Sequence, residues 1–81
     1  MMINYIIKMP SRLEARRILA ERGLTIRAFA RKLDVSERLV SGVFRKRQNK
    51  EVWLPLCRKD SLTQRIIIEF DKLRSQKVKH D

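Results

Sequence analysis

The stretch TIRAFARKLDVSERLVSGVFRKRQNK, from Thr25 to Lys50, decides the fold because its spacing predicts two short helices joined by a tight turn. Apolar or small residues recur at the helical period of 3.6 on both sides of that turn: Ile26, Phe29, Ala30 and Leu33, then Leu39, Val40, Val43 and Phe44. Asp34 tolerates the left-handed backbone of a sharp turn, and Ser36 is a good N-cap. We therefore predict helices at about Ile26 to Leu33 and Glu37 to Arg47.

The residues expected where these two helices meet would allow a close crossing. Ala30 is small, Val35 can fill the corner between the helices, and Val40 and Val43 are branched. This combination predicts the steep crossing of a helix-turn-helix, whose second helix enters the major groove in DNA-binding proteins.

The segment from Arg17 to Arg45, about a third of the chain, resembles the helix-turn-helix of phage Cro and repressor proteins, including the smaller Ner-like regulators. Its lead-in RILAERGLT, in which Gly23 closes one helix and Thr25 opens the next, is a common phrase in that family. Two positions depart from the family pattern: Ile26 stands where a phosphate-contacting Gln is usual, and Asp34 where Gly is usual. The resemblance implies a mainly α domain of four to five helices that regulates transcription by binding double-stranded DNA.

A capping box precedes the helix-turn-helix and predicts one more helix there. Ser11 and Glu14 form the S-x-x-E pattern, so a helix should run from about Arg12 to Arg22. Gly23 can then adopt the left-handed conformation that ends a helix. Four residues of this helix are expected in the core: Leu13, Ala15, Ile18 and Leu19.

A second capping box, S-x-x-Q from Ser61 to Gln64, predicts a C-terminal helix from about Leu62 to Ser75. Its expected core stripe consists of Leu62, Ile66, Phe70 and Leu73, widened by Ile67. Ile68 lies about 100 degrees further round the helix, so burying it favours a second packing surface. We therefore expect a homodimer, with this helix and the segment around Trp53 as the preferred interface.

The ends of the chain and the segment after the helix-turn-helix are less regular. Residues 1–10 should form an N-terminal arm or strand, because apolar residues alternate from Ile3 to Ile7. Within residues 48–60, Pro55 interrupts an apolar stretch. We prefer a short strand there, paired with the N-terminal strand, over an irregular segment. Residues 76–81 should be a solvated tail.

The positive charge is concentrated around the helix-turn-helix. The chain has a net charge of +11; residues 8–50 contribute +9, and residues 51–81 contribute +2. Charge placed there would neutralise DNA phosphates. With 81 residues we expect one domain, 1–81, containing the helix-turn-helix at 25–47, and a core modest enough for a partner subunit to stabilise it.

The composition argues against several other functions. Cys57 and His80 are the only Cys and His, so neither an internal disulfide nor a zinc site is expected. No nucleophile and base pair or Gly-rich phosphate loop is present, so we predict neither an enzyme nor a small-molecule substrate, cofactor or metal. The absence of an apolar run of about 20 residues argues against a membrane protein. We expect a cytoplasmic protein of a bacterial cell or phage-infected host.

The second helix of the motif, at about Glu37 to Arg47, would be the recognition helix. Its face that points away from the core supplies the DNA-contacting residues. Arg38 is the best base reader, because its guanidinium matches the O6 and N7 acceptors of guanine. Glu37 could accept from cytosine or hold Arg38 in place, Ser41 is short enough to reach a base, and Gly42 allows close backbone approach. Residues around this face are expected to contact phosphates: Thr25, Arg27, Ser36, Arg45, Lys46, Arg47 and Lys50.

Two alternatives to a phage-type repressor stay open at this point. One is an excisionase-like architectural factor that pairs a helix-turn-helix with a wing, which a strand hairpin after the recognition helix would favour. The other is an antitoxin-type protein-interaction module, which a large exposed apolar patch around Trp53 and Ile68 would favour.

Overall fold

The computed structural model describes residues 5–54, 56 and 61–76. Its elements follow one another as β1 (Tyr5–Lys8), α1 (Arg12–Glu21), α2 (Ile26–Leu33), α3 (Glu37–Lys46), β2 (Glu51–Leu54) and α4 (Ser61–Ser75). The mainly α class is confirmed. The parts of the predictions that concern residues 1–4, Pro55, residues 57–60 with Cys57, and residues 77–81 with His80 lie outside the described residues. Within the described ranges, no helix is both long and apolar enough to cross a membrane.

The predicted pair of short helices is present, and local backbone chemistry explains its sharp turn. Asp34 adopts the left-handed conformation, with φ 58° and ψ 45°. The next N–H, from Val35, donates to the Ala30 carbonyl at 3.0 Å and closes the end of α2. The Ser36 hydroxyl accepts from the Leu39 N–H at 3.1 Å and begins α3. The prediction ended this helix at about Arg47. The observed α3 ends at Lys46, and Arg47 is its C-cap.

The first helix begins as predicted but buries fewer residues. The Ser11 hydroxyl accepts from the Glu14 N–H at 3.2 Å. The helix ends at Glu21, one residue before the predicted end, and Gly23 takes a φ of 74° in the turn that follows. Leu13 was wrongly assigned to the core, since its side chain is 78% exposed. Leu13 lies about 200° round the helix from the buried Ala15, so the two cannot share one face.

The two strands pair as predicted, and the pair is antiparallel; the described part of β1 covers Tyr5–Lys8. Ile7 pairs with Val52, and both side chains are buried. Ile6 pairs with Trp53 on the opposite, outer face of this sheet. The strand that was preferred for the segment after the helix-turn-helix is therefore confirmed, and its partner belongs to the same subunit.

Three phenylalanine rings hold α2, α3 and α4 around one core. Phe29 and Phe44 stack with centroids 6.4 Å apart, and Phe44 meets Phe70 edge to face at 4.9 Å. All three rings are at most 1% exposed. Aromatic contacts of this kind add to the apolar burial that fixes the three helices relative to each other.

The C-terminal helix differs from its prediction at its first turn. Ser61 is already helical, and the Gln64 side chain accepts from the Leu56 N–H instead of completing a capping box. Leu62 is 51% exposed, which corrects its assignment to the core; burial begins one turn later. Ile68 is half-buried against the core of its own subunit, so its position does not require a second subunit.

Candidate nucleic-acid interface

The α3 helix presents one side to the core and the other to solvent. Val40, Val43 and Phe44 are at most 5% exposed on the inner side. On the outer side, Arg38 and Arg45 are exposed, and two half-buried residues lie between them, Ser41 and Gly42. The structure therefore brings the predicted readers onto one stripe of α3. An added Cβ at Gly42 would meet nothing within 4 Å, so internal packing does not require glycine at this position.

An open cleft of about 500 Å³, which we name the α1–α3 cleft, flanks this stripe on one side. Its charged and polar lining comes from three helices and their caps: Arg12, Arg16 and Arg17 of α1, Thr25 and Arg27 at the start of α2, and Glu37 and Ser41 of α3. The α1 arginines were missed by sequence reasoning. Their signal was the i, i+4 spacing of Arg12 and Arg16 on the side of α1 that faces away from the core.

The acidic residue of this cleft pairs with an arginine from the neighbouring helix. Arg27 Nε lies 3.4 Å from Glu37 Oε2, and the two side chains are 70% and 52% exposed. This differs from the prediction that Glu37 could hold Arg38. An ion pair so exposed to solvent contributes little stability, so Arg27 can exchange its carboxylate for a phosphate at small cost.

A second open cleft, the α3–α4 cleft, lies on the other side of the stripe and has a volume of about 510 Å³. Its polar lining includes Ser36, Arg38, Gly42, Arg45, Lys46, Arg47 and Thr63. Arg47 is only half-exposed, and its buried Nε has no hydrogen-bond partner among the described residues. Lys50 does not line this cleft; it is exposed and directly precedes β2. Arg47 is therefore less available to a phosphate than the prediction assumed.

The two hydroxyl residues predicted to contact phosphates both serve first as N-caps. The Thr25 hydroxyl accepts from the Ala28 N–H at 3.0 Å, as Ser36 does from Leu39. A hydroxyl that accepts one hydrogen bond still has its own proton to donate. Both side chains are on exposed residues, so each could donate to an anion at a helix start, where the helix dipole also favours negative charge.

Together the stripe and its two clefts form a continuous basic surface. Eight basic side chains belong to it: Arg12, Arg16, Arg17, Arg27, Arg38, Arg45, Lys46 and Arg47. Among their described lining residues, Glu37 is the one carboxylate. This arrangement can attract a polyanion on both sides of α3. No family model, curated protein or solved structure matches the chain.

Proposed function

We propose that the protein is a sequence-specific regulator that binds double-stranded DNA and inserts α3 into the major groove. The observation that carries this proposal is the exposed stripe of α3 between two clefts rich in basic residues. The major groove is about 12 Å wide and admits one helix, while the phosphates of the two strands run along its edges. A helix with an exposed arginine stripe and positive charge on both flanks suits that shape.

Each part of the surface has a chemical role in this proposal. Arg38 reads guanine through two parallel hydrogen bonds, and Ser41 donates to a neighbouring base edge or phosphate. Arg27, held beside the groove by Glu37, moves to a phosphate at the start of α2. On the opposite flank, Arg45 and Lys46 bind the other strand. The α1 arginines extend the phosphate contacts further along the backbone.

We also propose that the protein acts as a repressor of the Cro type and binds its operator as a dimer. A single recognition helix reads only a few base pairs, which is too little to select one site in a genome. Two copies related by a two-fold axis would double the information. Occupying a promoter is then sufficient to block transcription, without any catalytic group.

The excisionase-like alternative receives less support from the described fold. A wing after the recognition helix would be a hairpin, but β2 pairs with the N-terminal strand β1. The interaction-module alternative relied on an exposed patch that joins Trp53 to Ile68. Trp53 is 65% exposed, whereas Ile68 packs against the core, so Ile68 contributes little to such a patch.

Selection of bound sequences from random duplex DNA tests the proposal. We expect the wild type to enrich a short palindromic sequence, and the double variant Arg38→Gln, Arg45→Gln to lose that enrichment. Arg65→Gln is the matched control, because Arg65 is an exposed arginine of α4 that lines neither cleft. A wild type that enriches no sequence, or a double variant that enriches the same one, would overturn the proposed readout.

A further inference from the structure

The outer face of the two-stranded sheet carries an apolar pair that the core does not use. Trp53 is 65% exposed, and Ile6 opposite it on β1 is 44% exposed. A tryptophan has the largest apolar surface of any side chain, so leaving most of it in water forgoes considerable burial energy. Lys8 and Glu51 form the neighbouring pair on this outer face.

Basic residues surround Trp53 on the side towards α3. An open groove of about 260 Å³, the Trp53 groove, is lined by the indole together with Lys46, Arg47 and Lys50. Lys46 and Arg47 also line the α3–α4 cleft, so the two depressions are adjacent. A strand of DNA that leaves the flank of α3 would therefore meet the indole next.

The charge of the groove decides between two possible occupants of this apolar face. A two-fold contact between copies of the chain would bring the same patch of each copy together. The groove has three cations and one carboxylate, Glu51, so such a contact would place like charges against each other. An anionic partner with an apolar component avoids this repulsion. The sugar-phosphate backbone of DNA has both properties.

We infer that the Trp53 groove binds the DNA backbone beside the segment that α3 reads. The indole packs against a deoxyribose, and Lys46 and Lys50 contact the phosphates on either side of that sugar. The inference rests on the proposed function, because it assigns a further contact to the same duplex. It also assigns Trp53, which sequence reasoning put in a dimer interface, to the DNA.

The intrinsic fluorescence of the full chain offers a direct test, because Trp53 is its one tryptophan. A mixed-sequence duplex labelled at one end reports total binding through its anisotropy at low salt, while the indole emission of the same sample reports the groove. We expect the emission to change in proportion to the bound fraction. Trp53→Ala should weaken binding about fivefold to tenfold, equivalent to about 50 Å² of lost apolar contact.

Two comparisons separate a contact at the groove from a general loss of apolar surface or charge. Leu13→Ala is the control for Trp53→Ala, and Glu69→Gln is the control for Glu51→Gln. Leu13→Ala removes another exposed apolar side chain. Leu13 is 78% exposed and lines neither of the two clefts nor the Trp53 groove, so this change should leave the DNA affinity unchanged. Glu51→Gln keeps the tryptophan and removes the carboxylate of the groove, so binding should tighten about twofold to threefold. Glu69→Gln, on α4, removes an equal charge outside the groove and should have a smaller effect.

Each possible result decides the inference. Binding by anisotropy without any change of emission, or with equal affinity for Trp53→Ala, would overturn the groove assignment and leave the proposed function standing. No binding to any duplex would overturn both. A stronger emission change with single strands than with duplexes would replace the sugar contact by base stacking. A change with protein concentration alone would assign the face to a second copy.

Discussion

Two groups of arginines in this small protein have opposite relations to the fold. At the seam between α1 and α4, Arg22 is 12% exposed and donates to four backbone carbonyls. Two of them, Leu73 and Arg74, belong to the last turn of α4, Gln76 follows that helix, and Ile18 belongs to α1. On the α3 stripe, Arg38 and Arg45 are exposed and donate to no group in the described part of the chain.

The difference shows that the availability of donors, and not residue type, separates a structural arginine from a binding one. The last carbonyls of a helix have no partner within the helix, and Arg22 supplies donors to those of α4. Arg74 continues this seam by donating to the Lys8 carbonyl at 2.9 Å and lying over the Phe70 ring. The donors on α3 remain available for a ligand.

The largest expected effect is the salt dependence of DNA binding. If about six of the exposed cations contact phosphates, raising the salt from about 50 to about 200 mM should weaken binding about a thousandfold, with a log-log slope near −5. The unfolding free energy should change much less, because the seam donors bind carbonyls and not mobile ions. Anisotropy titrations and urea unfolding in the same buffers measure both. A DNA affinity that does not change with salt would contradict the assignment of the exposed cations to phosphate contacts.

The next effect concerns the seam. Arg22→Ala should lower the unfolding free energy by about 2 to 3 kcal/mol, because several carbonyls lose their donors in a partly buried site. Arg22→Lys should recover little, since an ammonium cannot reproduce the planar fork. The matched change on the stripe, Arg38→Ala, should alter stability by less than about 0.5 kcal/mol. If urea unfolding shows equal losses of unfolding free energy for Arg22→Ala and Arg38→Ala, Arg22 is no more structural than Arg38.

The sequence alone predicts those features of the fold that depend on residues close together in the chain. Periodicity predicts α2 at its observed bounds, because each residue of an amphipathic helix faces the core or solvent according to its spacing. Gly23 can adopt the left-handed conformation because it has no Cβ, and Asp34 belongs to the few other residue types that tolerate it. The stripe of candidate readers on α3 follows in the same way from the positions of Val40 and Phe44.

Contacts between distant segments could not be predicted in this way. Arg22 binds carbonyls more than 50 residues away, and no local pattern in the sequence indicates those acceptors. The exposure of Leu62 depends on where the core ends around α4. The arginines of α1 join the candidate interface only because α1 lies beside α3 and forms a cleft with it. Each of these features is set by tertiary packing.

A smaller effect should distinguish a base-reading residue of the basic surface, Arg38, from Lys50 of the Trp53 groove. Arg38→Ala should reduce discrimination at one base pair by about 1 to 3 kcal/mol, because the guanidinium reads a base edge. Lys50→Ala should weaken binding to all sequences about equally, since an exposed ammonium contacts phosphates that every sequence shares. Affinities for a panel of single-base operator variants test the assignment. Identical preference profiles for the two variants would contradict it.

The smallest effect concerns Arg27, which belongs to the exposed surface but already has a partner. Its Nε lies 3.4 Å from Glu37 Oε2, and both side chains are more than half exposed to water. Glu37→Gln should free Arg27 and remove a negative charge beside the phosphates, so DNA binding should tighten about twofold to fivefold. The lost ion pair should cost less than about 1 kcal/mol of stability.

A matched control for this change exists on α4, where Glu69 and Lys72 also form an exposed pair at 3.4 Å. Glu69→Gln breaks that pair away from both clefts, so it should affect stability similarly and DNA affinity much less. Operator affinities and urea unfolding of both variants give the comparison. If Glu37→Gln instead weakens binding at one particular base pair, Glu37 itself reads a cytosine, and the Arg27 pair positions a reader. If both variants tighten binding equally, only net charge matters, and Arg27 would lose its place in the proposed interface.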